Sequence, residues 1–404
     1  MNIPSQIIQR KRYINALLPF IDQQIIKVIV GQRRVGKSYI LYQLIQFIQK
    51  TKHQAEIIYI NKEDLAFTHI KNATQLNEYI IKNASPEHKT YVFIDEIQEI
   101  EDFHIALRSL LLNEKLDVFC TGSNANLLSS DIAGNLSGRY IELEVHSLSY
   151  EEFLEFHNLK NGEDSLEQYM KYGGLPYLKH LPLEDEIVFE YLKNIYSTIV
   201  YRDVVNRFNL RNTTFLEQLV QFLASNTGSL FSSKSISDFL KSQKINSAPN
   251  QVQSYISYLT NAFIILACKR YNIQGKKLFE IGEKYYFENL GIRNAIWGYR
   301  LEDRGKIIEN IVYNHLRFCN YKVHIGALGK QEIDFVATKN GEIRYIQVAL
   351  ILIEEKTIDR EFGNLLKIKD NYPKMVVTLD NYSGNSFKGI EVVHLSKFLL
   401  SESF

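Results

Sequence analysis

An α/β fold, in which a parallel sheet carries helices on both faces, follows from three features of this chain. The octapeptide Gly31-Gln32-Arg33-Arg34-Val35-Gly36-Lys37-Ser38 stands after an apolar run, Ile25-Ile26-Lys27-Val28-Ile29-Val30, and before a stretch from Tyr39 to Ile48 with apolar residues at helical spacing. A second apolar run, Tyr91-Val92-Phe93-Ile94, ends in the carboxylates Asp95 and Glu96. Further short apolar runs alternate with helical stretches, the order that builds a buried parallel sheet.

The first strand, loop and helix match the phosphate-binding P-loop, G-x-x-x-x-G-K-[ST], in the setting that motif requires. Backbone N–H groups from Gly31, Gln32, Arg33, Arg34, Val35, Gly36, Lys37 and Ser38 can curl around a polyphosphate, and the helix N-terminus adds partial positive charge. Lys37 then reaches the β- and γ-phosphates, and Ser38 offers its hydroxyl to Mg²⁺. The expected fold is a P-loop NTPase sheet, and the expected cofactors are ATP and Mg²⁺. Arg33 and Arg34 either contact phosphate or face solvent.

Glu56-Ile57-Ile58-Tyr59-Ile60 reads as the second strand, followed by Glu63-Asp64 and a helix near residues 74–83. The third strand delivers Asp95 and Glu96 to the carboxyl edge of the sheet, beside the P-loop. There Asp95 holds Mg²⁺, and Glu96 activates the attacking water as a general base. A strand intervening between the P-loop strand and the carboxylate strand, with Glu96 next to Asp95, is typical of P-loop ATPases with an additional strand. Leu116-Asp117-Val118-Phe119-Cys120 is the next strand. At its tip, Ser123 and Asn124 either bond the γ-phosphate or attacking water, or cap a helix over residues 125–128.

Arg139 ends the phrase Leu136-Ser137-Gly138-Arg139, just before the strand Tyr140-Ile141-Glu142-Leu143-Glu144-Val145. With His146-Ser147-Leu148-Ser149-Tyr150-Glu151-Glu152-Phe153 and Tyr172-Gly173-Gly174-Leu175-Pro176, these residues resemble the AAA+ superfamily. The likeness is to prokaryotic ATPases with a nuclease-like C-terminal half. It implies that Arg139 is an arginine finger completing a neighbour's ATP site, and hence a homo-oligomer. An ordinary surface arginine is the alternative.

At 404 residues the chain has room for two or three domains, and 45% hydrophobic with 23% charged residues suits a globular protein. No apolar run reaches the length of a membrane span, and residues 1–12 lack a signal-peptide core, so a cytoplasmic protein without membrane contact is expected. Cys120, Cys268 and Cys319 lie too far apart for a zinc motif and indicate no disulfide framework. The net charge of +1 conceals a basic middle: residues 200–280 carry 10 Lys+Arg against 4 Asp+Glu.

That middle follows a helical stretch from about Tyr191, including Tyr196 to Arg207, which resembles the helical lid of the same family. Residues 213–280 read as a winged helix: one helix over Phe215–Leu223, a second from serines at 232–237, and a third, Asn250 to Asn261, whose first turn Pro249 fits. Wing strands are expected at Phe263–Cys268 and Lys276–Phe279. In a DNA reader Asn250, Gln251, Gln253 and Ser254 would face base edges, and Lys269, Arg270, Lys276 and Lys277 would face phosphates. Winged helices also serve as protein-interaction modules.

The pattern over residues 305–404 resembles a restriction-endonuclease-like domain: a helix bearing Glu309, a strand Glu332–Ala337 bearing Asp334, and a strand Arg344–Leu350. The resemblance implies Mg²⁺ ligands at Asp334 and at the Gln347 position, assisted by Glu309, with a lysine at the Ala349 position. This chain departs at the last two. Gln347 keeps a carbonyl oxygen for a metal, whereas Ala349 has no charge to offer a phosphoryl transition state. Lys330 or Lys356 would have to supply it from elsewhere. The expected organisation is an ATPase core over 1–155, a lid over 156–212, a winged helix over 213–290 and a degenerate endonuclease-like domain over 291–404. Together these predict an ATP-driven switch or motor with a DNA-binding module. A slow signalling ATPase and an ATP-controlled nuclease are the alternatives.

Overall fold

The structure is a computed structural model that describes residues 3–4, 6–125, 127, 136, 138–352, 355–380 and 386–402, with the side chains of 280, 281 and 355–360 outside the description. Residues 126 and 128 of the helix expected over 125–128, and Ser137, lie outside the described residues. Two compact units emerge: residues 1–146 with 261–263, and residues 147–260 with 264–404.

The first unit is built on a five-stranded, wholly parallel sheet flanked by helices. Its strands are β1 (Ile26–Val30), β2 (Glu56–Asn61), β3 (Thr90–Asp95), β4 (Leu116–Gly122) and β5 (Tyr140–Glu144), in the order β2-β3-β4-β1-β5. Strands β1, β3 and β4 are buried along their whole length, so they read as continuous apolar runs. Edge strands β2 and β5 are only partly covered. The strand that separates β1 from β3 in space is β4; β2, which separates them in sequence, lies at the sheet edge. Val28 pairs with Cys120, and Val92 with Val118, so all three buried strands end at one level.

Helices α1 (Lys11–Leu17), α2 (Lys37–Thr51), α3 (Ala73–Asn83) and α4 (Phe103–Leu110) belong to the same unit. Helix α2 buries Ile40, Leu41, Leu44, Ile45 and Ile48, each contributing roughly 1.5–3 kcal/mol by leaving water. Inside β1, Lys27 is fully buried and pairs with Asp117 of β4, its ammonium also donating to the Gln23 carbonyl at 2.9 Å. A buried lysine is tolerated here because its charge is matched and its protons are bonded.

In the second unit, α5 (Tyr150–His157) starts at a capping box in which Ser149 and Glu152 each accept from the other's main-chain N–H. Helices α6 (Glu163–Tyr172) and α7 (Asp185–Thr198) follow, and α7 runs into a π-helical stretch, Ile199–Asn206. Next come α8 (Thr213–Ser225), β6 (Leu230–Phe231), α9 (Ser233–Ser242), α10 (Pro249–Asn261) and a hairpin of β7 (Ile265–Asn272) and β8 (Lys277–Phe287). The hairpin strands are longer than the sequence pattern suggested.

The chain continues through α11 (Leu290–Trp297), α12 (Arg304–Phe318), β9 (Lys322–Leu328), β10 (Gln331–Lys339), β11 (Glu342–Ala349) and α13 (Glu355–Leu366). It closes with β12 (Lys374–Thr378), β13 (Ser386–Phe387), β14 (Ile390–His394) and α14 (Leu395–Leu399). All nine strands form one sheet, ordered β13-β14-β12-β11-β10-β9-β7-β8-β6. The join is a parallel pairing of β7 with β9, Tyr271 opposite Gly326. Hence no break in the sheet falls at residue 290, where the sequence suggested a domain boundary. Ile273, in the hairpin turn, packs into the same core as Ile333, Val336 and Phe362.

His157, in the last turn of α5, lies against Phe153 at 4.4 Å between centroids, and its Nε2 is buried without a hydrogen bond. Burial lowers its pKa to about 4. An unfolded histidine titrates near ~6.5, so between those values the unfolded chain binds more protons and stability rises with pH. The melting temperature is therefore expected to fall as pH drops from 6.5 through 4. His157→Phe should flatten that slope in calorimetry; an unchanged slope would contradict the assignment.

Candidate functional site

At the carboxyl edge of the five-stranded sheet, the loop after β1 turns tightly. Gly31 has φ +151°, and a Cβ there would lie 2.2 Å from the Val145 carbonyl oxygen, so glycine is required. Gly36, at φ +97°, caps the start of α2. Val35 is buried, and its carbonyl accepts from Arg10 Nη1 at 3.0 Å. Arg10, itself buried, also donates to Tyr13 and to the His146 carbonyl, and so braces the loop from beneath. Gln32 is buried and donates to the Phe263 carbonyl at 2.8 Å.

Lys37 donates to the carbonyls of Gly31 at 3.0 Å and Gln32 at 3.1 Å, and its ammonium lies 3.9 Å from Glu96 Oε1. The Ser38 hydroxyl is hydrogen-bonded to Asp95. Asp95 also accepts from Thr121 Oγ1 at 2.5 Å and Tyr59 OH at 3.1 Å. Burial raises the Asp95 pKa, while the Ser38 and Thr121 hydrogen bonds oppose the rise. Glu96 follows in a left-handed conformation, φ +58°, with its N–H donating to Thr121 Oγ1 at 3.0 Å. Its Oε2 accepts from Gln98 Nε2 and from Ser123 Oγ at 3.3 Å.

Lys37, Ser38, Asp95, Glu96 and Ser123 therefore converge. Asn124 is half-buried, and Arg139 is exposed at the head of β5. The paired loop arginines diverge: Arg34 is exposed, whereas Arg33 turns inward to Glu63 and Glu96. Sequence reasoning missed Arg10, Tyr59, Gln98 and Thr121, which carry no motif. Thr121, on the exit of β4, was the one with a signal, a hydroxyl at the strand tip level with Asp95.

The second unit holds a cavity of ≈ 800 Å³ lined by Glu309, Glu332, Asp334, Gln347, Glu361 and others. Gln347 is committed to its neighbours: its Oε1 accepts from the Asp334 N–H at 2.6 Å and its Nε2 donates to Glu361 at 2.6 Å. The carbonyl oxygen reserved for a metal is thus already bonded to the chain. Asp334 Oδ2 accepts from the Val348 N–H at 2.8 Å, and burial, then the Glu309 charge, push its pKa well up. Neither Lys330 nor Lys356 is shown supplying the cation missing at Ala349. Lys330 is exposed in the β9–β10 turn, and the Lys356 side chain lies outside the described residues.

The cation comes instead from β8. Lys284 is buried, with Nζ 2.9 Å from Glu309 Oε1 and 2.7 Å from Glu332 Oε1. Tyr286, two residues on and so on the same face of β8, donates to Glu309 at 2.6 Å. Burial opposes the Lys284 charge, but Glu309, Asp334 and Glu332 outweigh it and raise the ammonium pKa. Among the described residues, no group of three or more His, Cys, Asp or Glu side chains is arranged to hold a metal ion.

Phosphate loop, buried carboxylates and parallel sheet define a nucleotide-binding P-loop domain of the AAA type, and residues 23–154 match the family model described as AAA domain. Residues 163–303 match a domain of unknown function. The chain belongs to the same family as an uncharacterized protein of Haemophilus influenzae, with 36% identity over 402 residues, 98% of this chain and 99% of that one. The uncharacterized protein MJ1544 of Methanocaldococcus jannaschii is 29% identical over 336 residues, 80% of this chain and 71% of that one. Among solved structures, AMPPCP-bound DnaA from Aquifex aeolicus aligns at 19% identity and TM-score 0.32, over 54% of this chain and 71% of that one. The S. cerevisiae Hsp104–ADP complex aligns at 15% identity and TM-score 0.35, over 64% and 38%. These last likenesses are too distant to carry function. No helix among the described residues is long and apolar enough to cross a membrane.

Proposed function

We propose that the protein is an Mg²⁺-dependent ATPase whose nucleotide cycle drives a DNA-binding module. The observation that carries the hydrolytic half is the convergence of Lys37, Ser38, Asp95, Glu96 and Ser123 at one sheet edge. The hydroxyl of Ser38 and the carboxylate of Asp95 are bonded neighbours and hard oxygen donors, so the pair fits Mg²⁺. Bound there, Mg²⁺ would neutralise charge on the phosphoryl oxygens. Lys37 and the loop amides hold the polyphosphate, Glu96 takes a proton from the attacking water, and Ser123 orients the Glu96 carboxylate. Arg139, exposed at the head of β5, serves as the finger of a neighbouring subunit in a homo-oligomer.

The order α8-β6-α9-α10-β7-β8, with β6 and β7 both antiparallel to β8, supports a winged helix over residues 213–290. Asn250, Gln253 and Ser254 are exposed on α10, as are Lys276 and Lys277 at the hairpin tip. One observation favours a second reading, in which this module contacts protein: β7 is tied to β9, so the hairpin is part of a larger sheet rather than a free wing. ATP turnover measured with and without duplex DNA, over rising salt, separates the two. DNA contact predicts stimulated turnover and an affinity that falls steeply with salt, because phosphate contacts release counterions. Turnover indifferent to DNA would favour a protein partner.

A further inference from the structure

We infer that Arg33 is a positioning residue for Glu96, a guanidinium carried by the phosphate loop that sets the direction of the hydrolytic carboxylate. The inference deepens the ATPase reading and rests on it. Arginines in a phosphate loop have an obvious alternative in the phosphate itself, so the geometry decides. Arg33 is only 6% exposed, and its fork spans two carboxylates: Nη1 lies 3.1 Å from Glu63 Oε1, and Nη2 lies 3.5 Å from Glu96 Oε2. Arg34, with φ +74°, turns the chain so that its own side chain leaves for solvent.

Glu96 requires such support. It stands one residue past the end of β3 in a left-handed conformation, so the strand does not by itself fix where its carboxylate points. Its Oε2 gathers Arg33, Gln98 and Ser123, while its Oε1 lies toward Lys37. Two of those neighbours, Arg33 and Lys37, belong to the phosphate loop. Any change in the loop on gripping a triphosphate is therefore passed through a charged contact to the base. Glu63, more than one-third exposed, can exchange Arg33 for water at little cost.

The test compares steady-state ATP turnover and the affinity for a fluorescent ATP analogue with Mg²⁺ in wild type, R33Q, R33K, K37A, E96Q and R33Q/E96Q. Misplacing a reacting group by about 1 Å costs on the order of a hundredfold in rate. R33Q is thus expected to lower kcat roughly ten- to hundredfold with Kd changed less than about threefold, and R33K to recover part of the loss. In the E96Q background R33Q should cost nothing further, since the group it positions is gone. Loss of affinity in R33Q comparable to that in K37A, or additive losses in the double variant, would overturn the inference and make Arg33 a phosphate contact. A wild-type rate in R33Q alongside a dead E96Q overturns the inference but leaves the ATPase assignment standing. A wild-type rate in E96Q removes Glu96 from the role of base and the inference with it, whereas no ATP turnover in the wild type overturns the ATPase reading itself.

Discussion

Glu96→Gln should retain ATP and fail to hydrolyse it, with kcat reduced about 10²–10⁴-fold, whereas Lys37→Ala should lose the nucleotide itself. The two differ because the two side chains do different work. Lys37 stands at the start of α2 with its ammonium over the loop carbonyls of Gly31 and Gln32, where it adds a mobile full charge to a cradle of fixed amides. Removing it weakens ground state and transition state together. Glu96 is held by Gln98, Ser123 and Arg33, so an isosteric amide keeps much of this packing and removes only the basic oxygen. Equilibrium binding of labelled ATP and single-turnover hydrolysis measure the two effects separately. Normal turnover by Glu96→Gln would remove Glu96 from the role of base.

Lys284→Met carries the second large effect, on stability. The substitution leaves Glu309 and Asp334, both partly buried, without the buried cation of Lys284, and breaking a buried pair from one side costs about 3–5 kcal/mol. At ~2–4 °C per kcal/mol for a unit of this size, the melting temperature should fall by about 6–20 °C. The pH dependence is defined by the signs of the shifts. The Lys284 pKa is raised, so its contribution is fully present below the ordinary lysine value near ~10.4 and is lost only as pH climbs through the higher folded value. The lysine itself therefore adds no pH dependence to the deficit of the variant up to mildly alkaline pH. Toward acid it should shrink, because Asp334, whose pKa burial and Glu309 raise, becomes neutral and no longer needs a partner. Lys284→Met combined with Glu309→Leu should recover much of the loss. Calorimetry at several pH values would refute this account if the single variant melted with the wild type.

Some of this was legible in the chain because it is local. The P-loop lies within eight consecutive residues, and the run from Tyr91 to Glu96 declares itself by four apolar side chains before two acids. Helix α10 begins at Pro249, as residue preferences at helix starts require. Sheet order was less accessible. Nothing near Leu116 says that β4 inserts between β1 and β3, because that order is chosen by which apolar faces pack together. The continuity of the hairpin with the C-terminal sheet depends likewise on a pairing of residues 270–272 with 325–327.

Local order in the chain announces a phosphate loop and a pair of strand-end carboxylates, and its resemblance to an endonuclease-like domain marks the lysine missing at Ala349. Tertiary structure alone decided that Arg33 faces Glu96 while Arg34 faces water, that Gln347 spends its oxygen on Asp334, and that Lys284 stands among Glu309 and Glu332. The reason is range. Glycine turns, caps and apolar periods act over a few residues and leave a mark in their order, whereas a buried charge is matched by whichever partner the folded chain brings near. For Lys284 those partners are 25 and 48 positions away.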